Sequence, residues 1–371
     1  MDVLAGEILT DTGWVKGKLH FDRKVIEINP CESGSFDCYI VPGLVDLHVH
    51  GGGGFDVMDG EESIRQLARW HGGSGTTSLL ATTVSAPWDK LRQIVQDVAR
   101  VNQEDNPLGA RVLGAHLEGP FINPKKQGAL PVVEAPSSDS SLWHDICEQG
   151  PLKVVTLAIE SVDGDALIGE LCSLGVRVQM GHSACSYEQA VQGIKQGAKG
   201  FTHLFNAMSG LHHREPGLVG AALAHGEFAE IIPDLLHVHK GAILAALRAI
   251  PKLYCVTDAM SGAGMPDGEY SLGGHTVNKC QNGVRMADGT IAGSTLTTIQ
   301  ALRNLVEIGL SLEEAVKRCS TFPAEYLGLF DRGRLAPGCH SDILVLDKNL
   351  GLMQVFVEGV SIDLTNDEGV S

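Results

Sequence analysis

The chain has 371 residues, 43% of them hydrophobic and 20% charged, the proportions of a soluble globular enzyme with material for a large core. Its 28 Lys and Arg against 45 Asp and Glu leave a net charge of −17, which argues against nucleic acid or an anionic membrane surface as a partner. The 9 cysteines are scattered without CxxC spacing, no signal segment opens the chain and no run approaches a membrane span, so a cytoplasmic protein is expected.

The first forty or so residues alternate in short segments broken by turn residues (LAGEILTDTGWVKGKLHF, then KVIEINP) and are expected as β structure. From Pro42 the texture changes to apolar runs alternating with amphipathic helices, the pattern of parallel β/α units. Strands are expected at 44–50, 76–83, 111–118, 152–160, 175–182, 200–206, 229–238 and 252–258, with helices at 61–71, 87–103, 163–173 and 186–197 among the intervening segments. The last of these opens on Ser186 with Gln189 three residues on, a capping-box signature. Eight such units in about 215 residues predict an α/β fold, the (β/α)8 TIM barrel, whose working groups gather at the C-terminal strand ends. A hairpin-like insert at 262–293, an apolar helix at 295–308 and a helix at 311–321 opened by Ser311 follow, and the remainder returns to β texture. Residues 1–41 and 334–371 are therefore expected to pair as a small β-sandwich domain beside a barrel domain of 42–333.

The stretch VDLHVHGGGG places His48 and His50 two residues apart on a strand, so both imidazoles share one face while Leu47 and Val49 point the other way. Alone, such a pair is more often a polar strand end than a metal grip. The other expected strand ends, however, carry Thr82, Thr83, Glu118, Glu160, His182, His203 with Asn206, His237 and Asp258. A closed barrel brings these into one mouth, which reverses the prior. Glu118, His182 and His203 then make a His2Glu set suited to zinc or iron(II), leaving a position for water, and His48 and His50 form a second position that Glu118 can bridge. A bound metal lowers the pKa of its water towards about 7, and Asp258, ending YCVTDA, is the candidate base that later passes the proton to a leaving amine. The loop HLFNAMSGLHHREPG, with LLHVHK and Lys125-Lys126, supplies the local positive charge an anionic group such as phosphate requires. The glycines at 51–54 lack a Gly-Lys-Ser/Thr ending and are read as close backbone approach beneath a substrate.

Together the motifs PGLVDLHVHGGGGFDVMDG, GAHLEGPFINPKKQGA, GHSACSYEQA, GFTHLFNAMSGLHHREPGLVGAAL, VTDAMSGAGMPDGEYSLGG and ADGTIAGSTLT, spread from about Pro42 to Asp347, resemble the N-acetylglucosamine-6-phosphate deacetylase family of the amidohydrolase superfamily. The resemblance implies a metal-dependent (β/α)8 hydrolase, usually a homodimer, that removes acetate from the 2-acetamido group of an amino-sugar 6-phosphate. It implies Glu118, His182 and His203 as the main metal ligands and Asp258 as the acid/base. Ala129, Leu130, Asn206, Ala207, His237, Ile291, Ala292 and Gly293 fall on substrate-contacting positions. Arg214 falls on the phosphate-binding arginine, which in this family can come from the neighbouring subunit. Some members lack the HxH pair and use one metal; with His48 and His50 present, one or two divalent ions, zinc or iron, are implied.

Three positions depart from the pattern. Leu130 stands where a His or another polar residue often helps polarise the substrate carbonyl, which leaves that task to the metal. Ala184 and Leu235 replace a common Asp and a common Gly; both bear on pocket shape and keep N-acetylgalactosamine 6-phosphate as an alternative substrate. A dihydroorotase-like amidohydrolase would need a lysine at the end of the fourth strand, where Glu160 stands, and a non-enzymatic sugar-phosphate sensor would be expected to lose Asp258 or a ligand.

Overall fold

Parallel strands buried on both faces require helices on one side and a packed interior on the other, and the middle of this chain meets that requirement. The computed structural model describes residues 1–31, 36–105, 108–131, 133, 140–161, 164–280 and 283–364. Its parallel strands are β1 (Leu44–Val49), β2 (Thr76–Thr83), β3 (Arg111–Glu118), β4 (Leu152–Leu157), β5 (Arg177–Met180), β6 (Gly200–Phe201), β7 (Phe228–Ile231) and β8 (Lys252–Cys255). β1 to β6 pair in chain order as one sheet, and β7 pairs with β8. Backbone bonds cross both breaks. Leu204 N–H donates to Glu230 O at 2.9 Å between β6 and β7, while Asp258 N–H to His48 O and His50 N–H to Ala259 O, each 2.9 Å, join the exit of β8 to β1. The chain is thus an α/β fold around a curled parallel sheet.

The expected helices occur with ends shifted by a few residues, as Glu61–Gly73, Trp88–Asn102, Gly164–Ser173, Tyr187–Gln196 and Thr298–Glu307. Residue 163, the expected start of the third, lies outside the described residues. The capping box is present in full: Gln189 N–H donates to Ser186 Oγ and Ser186 N–H to Gln189 Oε1. Ser311 caps Leu312–Val316, after which the chain widens into a π-type turn over Lys317–Thr321 and resumes as Phe322–Leu327. Five expected strands, β4 to β8, end earlier than read; β4 stops at Leu157 and β8 at Cys255, so Glu160 and Asp258 lie beyond the sheet. β5, β6 and β7 stop at Met180, Phe201 and Ile231, so His182, His203 and His237 stand on loops beyond the sheet. The physical reason is a set of left-handed turns, with φ of 47° at His182, 31° at His203 and 64° at Leu235, which no extended strand tolerates.

The insert is a three-stranded antiparallel sheet, Gly268–Leu272, His275–Cys280 and Gly283–Arg285. Its Leu272, Val277 and Val284 form a small apolar cluster with Ile122, Ala129, Leu130, Met260 and Ala292. Both chain ends meet in one seven-stranded sheet: Val360–Ile362, Leu352–Val357, Ile343–Asp347, Cys38–Pro42, Asp2–Thr10, Gly13–Phe21 and Val25–Pro30, in that spatial order. Phe21 and Phe356 sit on strands four positions apart, about 19 Å if the sheet were flat. Their ring centroids are 5.2 Å apart, so the sheet folds over a core of its own that includes Ile8, Leu19, Ile40, Leu335 and Ile343. Residues 365–371 of the expected terminal segment lie outside the described residues. No helix among the described residues is long and apolar enough to cross a membrane.

A buried ion cluster ties the terminal sheet to the start of β3. Glu358 pairs with Arg111 (2.8 and 3.0 Å) and with Arg332, which also binds Asp342. Burial pushes the Glu358 carboxyl up, but hydrogen bonds from Arg111 and Arg332 outweigh it and hold its pKa at about 2. A depressed carboxylate contributes stability that is complete above its unfolded pKa and is lost as pH falls through its folded value. Unfolding by urea should therefore show a stability component that disappears between about pH 4.3 and 2. Glu358→Gln, which strands two buried guanidinium groups, should cost about 3–5 kcal/mol at neutral pH and lack that acid component. An unchanged urea midpoint in the variant contradicts this role.

Candidate metal centre and active site

The sheet's C-terminal edge gathers imidazoles and carboxylates from elements far apart in sequence. Glu118 ends β3, while His182 and His203 follow β5 and β6 by two residues. His48 is in β1, His50 just beyond it, and Asp258 follows β8. His182, His203, Ala207 and Asp258 all have left-handed backbones, φ 47°, 31°, 52° and 53°. Each such non-glycine residue costs roughly 1 kcal/mol or more, and strain of this kind, retained and concentrated in one place, points to a site that needs the geometry. Hydrogen bonds hold it: Asn123 N–H donates to His182 O at 2.9 Å, and Ser294 N–H to Asp258 O at 2.7 Å.

Glu118 Oε1, His182 Nε2 and His203 Nε2 form a triangle with edges of 3.0, 3.0 and 3.1 Å. Two tetrahedral ligand atoms at about 2.0–2.2 Å from one ion stand about 3.3–3.6 Å apart, so the triangle accepts a divalent cation after expanding by a few tenths of an ångström. A second group lies against it. His48 Nε2 is 3.2 Å from His50 Nε2 and 3.4 Å from Glu118 Oε1, and His50 Nε2 is 3.3 Å from Glu118 Oε2 and 3.2 Å from Asp258 Oδ1. Glu118 therefore faces both groups: Oε1 lies between the triangle and His48, and Oε2 faces His50.

The outer ring nitrogens decide where the protons sit. His182 Nδ1 meets Lys126 O at 2.8 Å, His50 Nδ1 meets Thr82 O at 3.2 Å, and His48 Nδ1 meets Glu230 Oε2 at 3.0 Å. These partners only accept, so Nδ1 donates in each case and a neutral ring points its Nε2 lone pair inward. Lone pairs 3.0 Å apart on His182 and His203 repel unless something positive lies between them. His203 Nδ1 is buried and unpaired among the described residues. The donor set, two nitrogens and a carboxylate with a further pair of nitrogens alongside, fits one or two divalent cations.

The charges are correspondingly entangled. Burial pulls both His48 and His50 down, but Glu118 and Glu230 hold His48 well above the usual imidazole range, and Asp258 and Glu118 raise His50 to about 9. Burial pushes Glu118 and Asp258 up, yet the surrounding imidazoles hold both carboxyls below their ordinary values. Asp258 is thus an ionised carboxylate with hydrogen-bond capacity left for a proton.

Above these groups opens a cavity of about 360 Å³, enough for a monosaccharide phosphate. His50, Glu118, His182, His203 and Asp258 line it, together with Ala129, Leu130, Asn206, Ala207, His237, Ile291 and Gly293. His48 lies fully buried outside the lining. Ala292 is also buried outside the lining, its N–H bonded to Val284 O at 3.1 Å. Arg214 is exposed and outside the lining as well; the cationic chains that do line the cavity are Lys125 and Lys126. Glu160 is not at the site: it accepts from Asn123 Nδ2, Ser183 Oγ and Ala184 N–H and so ties the loops after β3 and β5 together. The glycine run corrects its expected role. A Cβ on Gly52 or Gly53 would strike Trp70, and one on Gly51 would strike Ser261 and Phe55, so the close approach is to the protein's own chain.

Sequence reading missed Gly128, Leu272 and Thr290 in the lining, and two carboxylates behind it. Asp234 accepts from His237 Nδ1 at 2.6 Å and from the N–H groups of Leu236 and His237, clamping that imidazole. Burial lowers His237, and Asp234 more than offsets this, leaving its pKa raised. Glu230 is fully buried. A charge inside the apolar run FAEII was the signal that could have found it.

The Amidohydrolase family model matches residues 39–363. Among curated proteins, N-acetylgalactosamine-6-phosphate deacetylase of Escherichia coli O157:H7 is 38% identical over 370 residues, covering 96% of this chain and 97% of its own length. N-acetylglucosamine-6-phosphate deacetylase of Vibrio furnissii is 38% identical over 328 residues, 86% of this chain and 82% of its own. Among solved structures, N-acetylglucosamine-6-phosphate deacetylase from Thermotoga maritima superposes with a TM-score of 0.91 at 31% identity, covering 98% of this chain and 100% of that one. A point mutant of the Mycobacterium smegmatis N-acetyl-D-glucosamine-6-phosphate deacetylase, in complex with N-acetyl-D-glucosamine-6-phosphate, superposes at 0.90 with 30% identity, covering 98% and 99%. The chain belongs to the amidohydrolase family and, within it, to the N-acetylglucosamine-6-phosphate deacetylases.

Proposed function

We infer that the protein is a metal-dependent hydrolase that removes acetate from N-acetyl-D-glucosamine 6-phosphate to give glucosamine 6-phosphate. The observation that carries this reading is the convergence, in one cavity, of the Glu118–His182–His203 triangle with the Asp258 carboxylate. The relatives' activity agrees with it. N-acetylgalactosamine 6-phosphate is the second reading, favoured by the Escherichia coli O157:H7 relative, and Ala184 and Leu235 leave the epimer open.

Glu118, His182 and His203 would hold one ion, zinc or iron, and His48 and His50 a second, with Glu118 between them. When bound, a divalent cation polarises an amide carbonyl and makes water acidic enough to attack near neutral pH. Asp258 takes the proton from water as its oxygen bonds to the acetamido carbon. As the C–N bond breaks, Asp258 returns that proton to the departing nitrogen, releasing acetate and the free amine. Leu130 offers the carbonyl no hydrogen bond, so no side chain at that position shares in the polarisation. His237, oriented by Asp234, and Asn206 would contact the sugar, with Ala129, Ala207 and the Ile291, Ala292 and Gly293 turn shaping the wall. Lys125 and Lys126 add positive charge for the phosphate, and Arg214, exposed on its own chain, would serve the neighbouring subunit's site in a homodimer.

The same reading takes the curled sheet as a closed (β/α)8 barrel of residues 42–333, supported by the backbone bonds across both breaks in strand pairing. It takes residues 1–41 and 334–371 as a small β-sandwich domain, supported by the Phe21–Phe356 contact across the folded sheet. A cytoplasmic location fits the nine free cysteines.

Acetate release from the two epimeric sugar phosphates, measured side by side on metal-reconstituted protein, tests the assignment. Higher kcat/KM for the gluco epimer is expected; preference for the galacto epimer moves the protein to the second reading, and no release from either sinks both. Asp258→Asn should lower kcat by about 10²–10⁴-fold while metal content per chain is unchanged. A variant retaining near-wild-type turnover contradicts the proton-transfer role.

A further inference from the structure

A carboxylate sealed inside a parallel sheet is costly unless donors answer its oxygens. Glu230, in β7, is fully buried and answered on both. Oε1 accepts from Gln179 Nε2 at 3.0 Å and from Tyr254 Oη at 3.4 Å; Oε2 accepts from the His203 N–H at 3.2 Å and from His48 Nδ1 at 3.0 Å. Four donors fit an ionised carboxylate, which only accepts. Two of these donors, the His203 N–H and His48 Nδ1, belong to histidines of the site itself.

The consequence is visible at His48. In the neutral ring that a cation would require, Glu230 holds the proton on Nδ1 and leaves Nε2 free, the atom 3.2 Å from His50 Nε2 and 3.4 Å from Glu118 Oε1. Of the four imidazoles clustered around Glu118, His48 alone has a carboxylate behind it: His182 and His50 lean on backbone carbonyls, and His203 Nδ1 is unpaired among the described residues. A carboxylate behind a ligating imidazole fixes its orientation and strengthens its basicity. His116, which also lies near Glu230, is committed to Leu47 O at 3.0 Å and Thr156 Oγ1 at 2.7 Å, so it does not compete for that role.

We propose that Glu230 is a positioning residue for the second cation: through the His48 Nδ1–H it makes His48 and His50 a working ligand pair, and without its charge that position binds its ion weakly while the Glu118–His182–His203 position keeps its affinity. The inference rests on the two-cation reading above. Its test is calorimetric titration of metal-free protein with Zn2+. Wild type should take two ions per chain. Glu230→Gln, equal in shape and uncharged, should bind the first with nearly wild-type affinity and the second about 10–100-fold more weakly. His48→Gln should give the same pattern. If Glu230→Gln does not fold, Glu230→Asp carries the test, because it withdraws the charge by one methylene and should weaken the second ion likewise. A lower melting temperature with both ions bound as tightly as in wild type means a merely structural role and overturns the proposal. Wild type taking a single ion removes the two-cation reading, and the proposal with it.

Discussion

The interaction on which the rest depends is an electrostatic one: four imidazole nitrogens and the carboxylates of Glu118 and Asp258, all buried side chains, held within a few ångströms of each other. Left alone, Nε2 lone pairs 3.0–3.2 Å apart and two buried carboxylates form a costly arrangement. Protons shared between the rings and the carboxylates relieve part of it, which is why the imidazoles His48 and His50 are raised and both carboxyls lowered. A divalent cation relieves it more completely. The fold can be understood as the apparatus that keeps these groups together despite the cost.

That apparatus works at several distances. Nearest are the acceptors that fix ring tautomers: Lys126 O, Thr82 O and Glu230. Next come the left-handed turns at His182, His203 and Asp258, which turn side chains off the strand direction and over the sheet edge. Beyond them, the insert lays Leu272 and Ile291 over one side of the cavity and closes it with apolar surface. Farthest away, the folded terminal sheet is fastened to the start of β3 by Glu358 and Arg111, at the opposite end of the strand that finishes in Glu118.

Much of this was legible in the sequence because strand ends in a parallel α/β fold are where apolar runs stop and polar groups begin. Glu118 falls at the expected end of its strand, and the helix starts at Ser186 and Ser311 follow from side chains that can accept backbone N–H groups. Less legible were features that depend on tertiary surroundings. The helix Gly217–His225 has no apolar stripe because Gly217, Leu218, Val219, Gly220, Ala221 and Ala222 are all buried, so its pattern lacks a helical period. The early exits of β5 to β7 rest on positive φ at histidine and leucine, which residue preferences do not foretell. Glu230 and Asp234 went unread because each acts through a neighbouring imidazole, a relation that exists only once the chain is folded. The glycine run was read for the right property, close approach, but its partner is Trp70.

The most direct measurement is anomalous diffraction from crystals of the metal-loaded protein, collected on either side of the absorption edge of the bound element. The account predicts a peak within about 2.0–2.2 Å of Glu118 Oε1, His182 Nε2 and His203 Nε2 together. A map from active enzyme with no anomalous peak among those three atoms would contradict it.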